Sequence, residues 1–302
     1  MNCWLSLKVM ASTKVSEKLL QGGPFKSQLA PEMYAELSAN PGEHLKGIFQ
    51  VFKTVFTTLS DESQQFLDLG CGAGDFTREW ILPSCQPCKR ILAVDASTSM
   101  LEYAREKYPH EKVVYEHLDI DDDVSAFLKN HGTFQRVYSF NMLHWSRDLR
   151  RALAHITQLL APGGECLLFF VARGFVFESF KELSRLEPWS KYANVLLQAV
   201  PKSHDIVNQK DQHAYLTEAI ASAGLVPYTA EVLVRNVLPR RRIGAYQGMA
   251  EIANPLLSIL RDDEKPALLD ALSTHLPKWR ESYSRGGGPV LSSRFLVHAV
   301  KP

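Results

Sequence analysis

The stretch FLDLGCGAGDFT, residues 66–77, constrains the fold of this chain more than any other. An apolar run leads to Asp68, and three glycines at alternate positions follow: Gly70, Gly72 and Gly74. A buried strand, a glycine-rich bend and a helix in this order are typical of the first unit of a parallel α/β sheet, where the bend approaches a ligand. The stretch therefore predicts a ligand site at the carboxyl end of the first strand.

The charge of the bend indicates what kind of ligand it accepts. Asp75 stands where a dinucleotide-binding G-x-G-x-x-G motif has its third glycine. A carboxylate there repels a diphosphate by on the order of a kcal/mol or more at such a distance. The bend is better suited to a positively charged ligand without phosphates, with Asp68 as the partner of an ammonium group. Glycines let such a ligand lie against bare backbone.

Short apolar runs alternate with helical stretches over the first half of the chain. The runs FLDLG, ILAVD, VVYEHLD, RVYSFNML and CLLFFVA are separated by segments with helical periodicity. This alternation predicts an α/β fold, a Rossmann-like doubly wound sheet with helices on both faces. Two further strands are expected near residues 230–238 and 291–300.

The rest of the chain is expected to be helical material around this sheet. We expect residues 1–30 to be a poorly ordered lead-in and residues 31–302 to form one domain with a cofactor-binding core at 60–172. The helical segments 31–58, 174–212 and 239–285 are the expected substrate cap. Pro41 and Gly42 predict a break between two helices in the first segment, and GGGP at 286–289 predicts the turn into the last strand.

Two more carboxylates follow consecutive predicted strands. Asp95 closes the second strand, where a carboxylate can accept from two ribose hydroxyls. Asp119 ends the third strand, where it can accept from an adenine amino group while Ile120 lies against the ring. Each aspartate alone is equally typical of a helix cap, but their occurrence beside the glycine bend favours a nucleoside site.

Composition limits the other possibilities. The net charge is +1, so no polyanionic partner such as nucleic acid is expected, and the cluster at 240–242 is interpreted as a solvated turn. Five cysteines, an odd number, argue against a disulfide framework. Cys85 and Cys88 form a single C-x-x-C motif with no second Cys or Cys/His pair at zinc-site spacing, so we expect a loop there and no metal site. The sequence has no apolar run of membrane-spanning length, and we do not expect the N-terminal segment to be a signal peptide. These features predict a reduced, soluble, cytoplasmic protein without a membrane partner.

Five segments together resemble successive motifs of class I S-adenosylmethionine-dependent methyltransferases: DLGCGAGDFT, AVDASTSML, HLDI, SFNMLHW and LLAPGGECLLFF. The resemblance spans residues 66–171 and implies S-adenosyl-L-methionine as the cofactor. It also implies a seven-stranded sheet of order 3-2-1-4-5-7-6 with the last strand antiparallel. The implied cofactor-binding residues are Asp68, Gly70, Cys71, Gly72, Gly74, Asp95, Ala96, Met100, Asp119, Ile120 and Asn141.

The resemblance also assigns roles within this set. It implies that Asp68 and Gly70 serve the methionine end of the cofactor, and that Asn141 lies beside the sulfonium. It implies that Asp95 binds the ribose and Asp119 the adenine, as the residues themselves suggest.

A finer resemblance concerns the acceptor. The segment 139–172, with FESFKELSRLEPWSKYA and VLSSRFLVHAV, looks like the juvenile hormone acid methyltransferases of arthropods. It implies methyl transfer to the carboxylate of an apolar, isoprenoid or fatty acid, with Trp145 at the substrate carboxyl. In that family a Tyr of the first helix is followed seven residues later by a Gln thought to bind the carboxylate. Counting from Tyr34, that place is Pro41.

Alternatives remain open at this point. His144, next to Trp145, is a candidate catalytic donor for a carboxylate acceptor, or a base for a hydroxyl or amine acceptor. The aromatic segment 169–192 can line an apolar pocket or belong to the core. Pro41 leaves room for a non-catalytic ligand-binding relative. A nicotinamide oxidoreductase is disfavoured by Asp75. We expect a monomer or a homodimer.

Overall fold

The structure is a computed structural model that describes residues 31–236, 248–251, 253–285 and 291–302. The expectations for residues 1–30, for the basic cluster at 240–242 and for GGGP at 286–289 lie outside the described residues. So do the last two positions of the sixth strand predicted at 230–238.

Seven strands form one sheet in the order β3-β2-β1-β4-β5-β7-β6. Neighbours among the first five strands are parallel, whereas β7 runs antiparallel to both β5 and β6. This confirms the predicted fold class and strand order. The strands are β1 (Gln65–Leu69), β2 (Arg90–Asp95), β3 (Val113–His117), β4 (Phe134–Phe140), β5 (Leu160–Arg173), β6 (Val226–Asn236) and β7 (Leu291–Val300).

Helices connect the strands and cover both faces of the sheet. A π-helical turn, Thr77–Ile81, follows the glycine bend and runs into the first of the short helices. The α-helices are α1 (Pro31–Phe52), α2 (Leu82–Ser84), α3 (Thr98–Lys107), α4 (Ser125–His131), α5 (Leu149–Leu159), α6 (Phe175–Leu183), α7 (Ala193–Gln198), α8 (Gln209–Ser222) and α9 (Lys265–Arg285). Side-chain caps start three of them: Ser97 accepts from the backbone N–H of Met100, Asp148 from those of Arg150 and Arg151, and Asn208 from that of Lys210.

The period of two along each strand divides the core between the faces of the sheet. Leu67 packs in one buried cluster with Ile156 of α5 and Leu216 of α8. Its neighbour Phe66 points to the opposite face and packs in a second cluster with Phe49 of α1. Strands buried on both faces read as nearly continuous apolar runs, which is the pattern seen in the sequence.

The aromatic segment that follows β5 forms a third cluster of its own. Phe177, Phe180 and Trp189 are buried there together with Leu256 and Leu272 from the later helical segment. For these three aromatic residues the core interpretation is the one the structure supports, because they lie under the surface and not along the cleft described below. The helical segments 174–212 and 253–285 therefore pack on each other.

One local prediction was wrong. Residues 31–52 form a single helix through Pro41 and Gly42, not two helices. Proline removes one backbone hydrogen bond, but α1 is held by tertiary contacts toward both ends. Leu45 and Phe49 are buried in the core, and the ring of Tyr34 lies against the glycine bend, 3.3 Å from the place that a Cβ on Gly72 would take. Packing thus overrides a local helix breaker.

Gly74 tests how tightly the bend packs on the sheet. Its φ is +85°, and an added Cβ would lie 2.7 Å from Cβ of Ala104 and 2.9 Å from the hydroxyl of Tyr115. We expect Gly74→Ala to lower the free energy of unfolding, measured by urea denaturation, by about 2–4 kcal/mol, through backbone strain plus overpacking. Gly224→Ala is the matched control, because φ is +76° there and the added Cβ meets open space. Equal losses in the two variants would show that packing at Gly74 is loose.

Candidate active site

A cleft opens at the carboxyl ends of β1, β2, β3 and β4. Its walls include the following predicted site residues: Gly70, Gly72, Asp95, Ala96, Met100, Asp119, Ile120, Asn141 and Trp145. Four other predicted residues, Asp68, Cys71, Gly74 and His144, lie behind this lining. The cleft also contains residues that the site prediction did not include, among them Tyr34, Asp121, Met142, Ser146 and Ala253.

The glycine bend is tied to the second strand. The N–H groups of Gly70 and Cys71 both donate to the carbonyl of Val94, at 2.8 and 2.9 Å. The N–H of Gly72 donates to Oδ2 of Asp95 at 2.9 Å. The backbone of the bend therefore lies beside the Asp95 carboxylate at the cleft. Gly70 adopts the left-handed conformation there, with φ +82°.

The glycines differ in what fills the space that a side chain would take. A Cβ on Gly70 would collide with Met142, at 2.3 Å, and one on Gly74 with Ala104. Only Gly72 has a cleft-lining ring, that of Tyr34, as its neighbour. Gly74 thus serves helix–strand packing, whereas Gly70 and Gly72 both contribute backbone to the wall of the cleft.

Asp95 accepts two backbone hydrogen bonds with its two carboxylate oxygens. Oδ2 accepts from Gly72, and Oδ1 accepts from the N–H of Ser97 at 2.9 Å. Burial raises the pKa of Asp95 and these hydrogen bonds oppose the rise. A carboxylate oxygen has more than one lone pair, so both oxygens can accept a further hydrogen bond from a ligand in the cleft.

Asp119 contains an unsatisfied acceptor. Oδ1 accepts from the N–H of Asp121 at 3.0 Å, whereas Oδ2 is buried and has no hydrogen-bond partner among the described residues. Burial raises the pKa of this carboxyl, with Asp121 and Asp122 adding to the rise. A buried acceptor left without a donor costs about 1–3 kcal/mol. A donor supplied by a ligand in the cleft would remove that cost.

Asp68 lies behind the glycine bend. It is 3% exposed, and its Oδ2 accepts from the hydroxyl of Thr77 at 2.5 Å. Burial raises its pKa from 3.8 to about 7, with the Thr77 hydrogen bond opposing the rise and Asp95 and Asp75 adding to it. The ammonium partner predicted for Asp68 would offset the cost of ionising this carboxyl.

Asn141 stands at the end of β4 in the left-handed region, with φ +54°. Its N–H donates to the carbonyl of Phe169 at 2.7 Å, and its Oδ1 accepts from Nη1 of Arg294 at 2.5 Å. Sequence reasoning missed Arg294, which lies 153 residues further along the chain. The signal that could have found it is the antiparallel last strand, which returns to the cleft edge of the sheet at its first residues.

His144 and Trp145 belong to one 3₁₀ turn, Leu143–Trp145, but face different surroundings. Trp145 lines the cleft and packs edge-to-face on Phe177, with ring centroids 5.3 Å apart. His144 is buried, and its Nδ1 accepts from the N–H of Val171 at 3.4 Å. Burial, and to a lesser degree the charge of Arg294, lowers the pKa of His144 from 6.5 to about 3. His144 is therefore a neutral ring with its proton on Nε2, and a weak base.

Two absences apply to residues 31–236, 248–251, 253–285 and 291–302 only. No group of three or more His, Cys, Asp or Glu side chains there is arranged to hold a metal ion. None of the helices described is long and apolar enough to cross a membrane. Cys85 and Cys88 are both buried, and the Cys85 thiol lies 3.4 Å from the hydroxyl of Tyr138.

Comparison with known proteins shows what the sequence of this chain is similar to. Residues 67–168 match the family model of a methyltransferase domain. The chain is 34% identical over 141 residues to the juvenile hormone acid O-methyltransferase of Bombyx mori, a match covering 46% of this chain and 49% of that protein. It is 27% identical over 217 residues to the enzyme of the same name from Drosophila melanogaster, covering 71% of this chain and 69% of that protein.

The matched part thus spans about half the length of the first of these relatives. Among solved structures, one described as a sarcosine dimethylglycine methyltransferase from Galdieria sulphuraria has the same fold, with a TM-score of 0.50 and 10% identity over 85% of each chain. Strand order and sequence match agree. Residues 67–168 match a methyltransferase domain, and the sheet that contains them has the strand order expected of one.

Proposed function

We propose that this protein is an S-adenosylmethionine-dependent O-methyltransferase that esterifies the carboxylate of a small apolar acid of the isoprenoid or fatty type. The observation that carries the cofactor assignment is the buried, unpartnered Oδ2 of Asp119 at the edge of a cleft that also contains Asp95. Similarity to two juvenile hormone acid O-methyltransferases supports the acceptor class.

The cleft residues fit a cationic nucleoside. Oδ2 of Asp119 would accept from the adenine amino group, with Ile120 against the ring, and Asp95 would accept from the ribose hydroxyls. The bare backbone at Gly72 leaves room for the chain between ribose and sulfonium, beside Asn141. When bound, the cofactor supplies an electrophilic methyl group on a sulfonium. A diphosphate would meet Asp95, Asp119 and Asp121 at the same walls, which repel it.

The state of His144 favours an acceptor that needs no base. A carboxylate is already ionised at neutral pH, and its oxygen forms a bond to the methyl carbon while the methyl–sulfur bond breaks and its electron pair stays on sulfur. No proton has to move. A hydroxyl or amine acceptor must lose a proton, and a buried histidine with a pKa of about 3 is a poor group to take it.

Residues from the proposed cap close the cleft on its outer side. Tyr34 comes from segment 31–58 and Ala253 from segment 239–285, and both line the cleft with Trp145. The indole N–H of Trp145 is a donor suited to the acceptor carboxyl, as the family resemblance implies. Excluding water from this point would strengthen the hydrogen bonds that orient the acceptor, and orientation alone supplies several kcal/mol.

Substitution of Asp119 should have opposite effects on the stability of the protein and on its affinity for the cofactor. Asp119→Asn should raise the free energy of unfolding of the ligand-free protein, because it removes a buried carboxylate with an unpaired oxygen. The same variant, and Asp95→Ala, should weaken S-adenosylmethionine binding in calorimetry by about 1.5–3 kcal/mol, the range for charge-assisted hydrogen bonds. Asp122→Ala, an exposed neighbour, is the control. Unchanged affinity in both variants would show that the nucleoside binds elsewhere.

Asp68 predicts a pH dependence. Its pKa is about 7 in the folded protein and near 3.8 when unfolded, so between these pH values the folded state binds more protons. The free energy of unfolding of the ligand-free protein should therefore fall as pH rises from about 4 to 7.

Asp68→Asn should reduce that slope, whereas Asp270→Asn, at an exposed position on α9, should leave it as it is. If the cofactor ammonium pairs with Asp68, stabilisation by S-adenosylmethionine in thermal shift should be larger at pH 8 than at pH 5 in the wild-type chain only. Slopes of equal size in wild type and Asp68→Asn would contradict this assignment.

The reaction is tested with methyl-labelled S-adenosylmethionine, a panel of farnesyl-type and fatty acids with the matching alcohols, and mass spectrometry of the products. We expect methyl esters from the acids. His144→Asn keeps an acceptor for the N–H of Val171, and should lower kcat on an acid by less than about tenfold, because no base is needed. Loss of about 10²-fold or more would indicate a base and a hydroxyl or amine acceptor. Cofactor binding without methyl release from any compound would indicate a non-catalytic relative.

A further inference from the structure

Arg294 is brought to the cleft by the direction of the last strand. β7 is antiparallel to β5, and Arg294 pairs with Val171 close to the carboxyl end of β5. That is the edge of the sheet at which the cleft opens. The side chain is half-buried, so its charge is neither fully solvated nor enclosed.

Contacts to Asn141 and Phe169 help to orient the guanidinium. Nη1 donates to Oδ1 of the cleft-lining Asn141, and Cζ lies 5.3 Å from the centroid of the Phe169 ring. A guanidinium stacked on an aromatic face and hydrogen-bonded at one corner has a defined orientation. It carries five N–H donors, and the bond to Asn141 uses one of them.

The charge of Arg294 affects two groups near the cleft, Tyr34 and His144. It opposes the rise in the pKa of Tyr34, whose ring lies against Gly72, and it helps to lower the pKa of His144. A nearby cation has this effect on both groups. By contrast, the carboxylates that line the cleft, Asp95, Asp119 and Asp121, follow β2 and β3. The carboxylates thus lie toward the β2 and β3 side of the cleft, whereas Arg294 contacts the lining residue Asn141 on the β4 and β7 side.

We propose that Arg294 binds the carboxylate of the acceptor and makes the site selective for anionic acceptors over neutral ones of the same shape. This inference rests on the proposed function and adds the residue that determines its specificity. The planar fork of an arginine matches the two oxygens of a carboxylate. In the resembling family a glutamine is thought to bind this carboxylate, and this chain has Pro41 at that place in the sequence. Proline has no side-chain donor, so in this proposal Arg294 supplies the donor instead.

The same contact would favour product release. Methylation turns the anionic carboxylate into a neutral ester, which keeps an acceptor oxygen but loses the charge. Hydrogen bonds to charged groups are about twice as strong as neutral ones, so the ester is held less firmly than the acid. An alcohol of the same chain length lacks the charge from the start.

The test compares farnesoic acid with farnesol, which share a tail and differ in the head group. Both are titrated by calorimetry into the full chain saturated with S-adenosylhomocysteine at pH 7.5. We expect the wild-type protein to bind the acid at least about tenfold more tightly than the alcohol, and Arg294→Gln to bring the two affinities within about threefold by weakening acid binding alone. Arg294→Lys should keep part of the preference, because it retains charge but not the fork.

Arg151→Gln, at an exposed position on α5, is the control and should keep the wild-type preference. S-adenosylhomocysteine affinity should stay within about twofold in Arg294→Gln, which separates loss of acceptor binding from a general collapse of the cleft. An undiminished acid preference in Arg294→Gln, or equal weakening for acid and alcohol, would overturn the proposal. If Arg294→Gln melts far below the wild-type protein, Arg294→Lys becomes the deciding variant. A full wild-type preference for the acid over the alcohol in Arg294→Lys would overturn the proposal.

Failure of the proposed function gives a different result. A wild-type chain that binds S-adenosylmethionine but transfers no methyl group to any acid refutes esterification, whereas the acid–alcohol comparison is a binding measurement and still tests Arg294. Conversely, active esterification with an unchanged KM for the acid in Arg294→Gln refutes the role of Arg294 and leaves the proposed function standing.

Discussion

The contact between the glycine bend and the end of β2 is the constraint on which the site depends. Two N–H groups of the bend donate to the carbonyl of Val94, and the N–H of Gly72 donates to Asp95. These bonds place bare backbone and a carboxylate side by side at the edge of the sheet. They also orient Asp95, because one of its oxygens is held by the bend and the other by Ser97. The N–H groups of Gly70, Cys71 and Gly72 are therefore already hydrogen-bonded within the protein, whereas the carboxylate oxygens of Asp95 can still accept from a ligand.

Burial changes the pKa values of the carboxylates in this region. Asp68, Asp95 and Asp119 all have raised pKa values with desolvation as the first cause. Clustered, partly desolvated carboxylates lower the stability of the ligand-free protein and are relieved by a cation or by added donors. On the β4 and β7 side, Arg294 carries a positive charge and contacts the cleft-lining Asn141. We have proposed that this charge binds the carboxylate of the acceptor.

Much of the fold could be predicted from the sequence, and so could the cleft wall that carries Asp95 and Asp119. Both depend on local sequence patterns. Alternation of short apolar runs with helical segments indicated the doubly wound sheet, and the aspartates at strand ends necessarily share its carboxyl edge. Gly70 and Gly72 line the cleft, whereas Gly74 packs against Ala104 and Tyr115. From sequence, a glycine needed for packing and one needed for a ligand look alike. The break expected at Pro41 was wrong because buried contacts hold one continuous helix.

The sequence by itself determined the class of the sheet and the strand ends that carry Asp95 and Asp119. Only the tertiary structure decided that Oδ2 of Asp119 lacks a donor, that His144 is buried and weakly basic, and that Arg294 reaches Asn141. The physical reason is distance along the chain. Period and charge are read from neighbouring residues, whereas desolvation and pairing depend on which remote segments pack together.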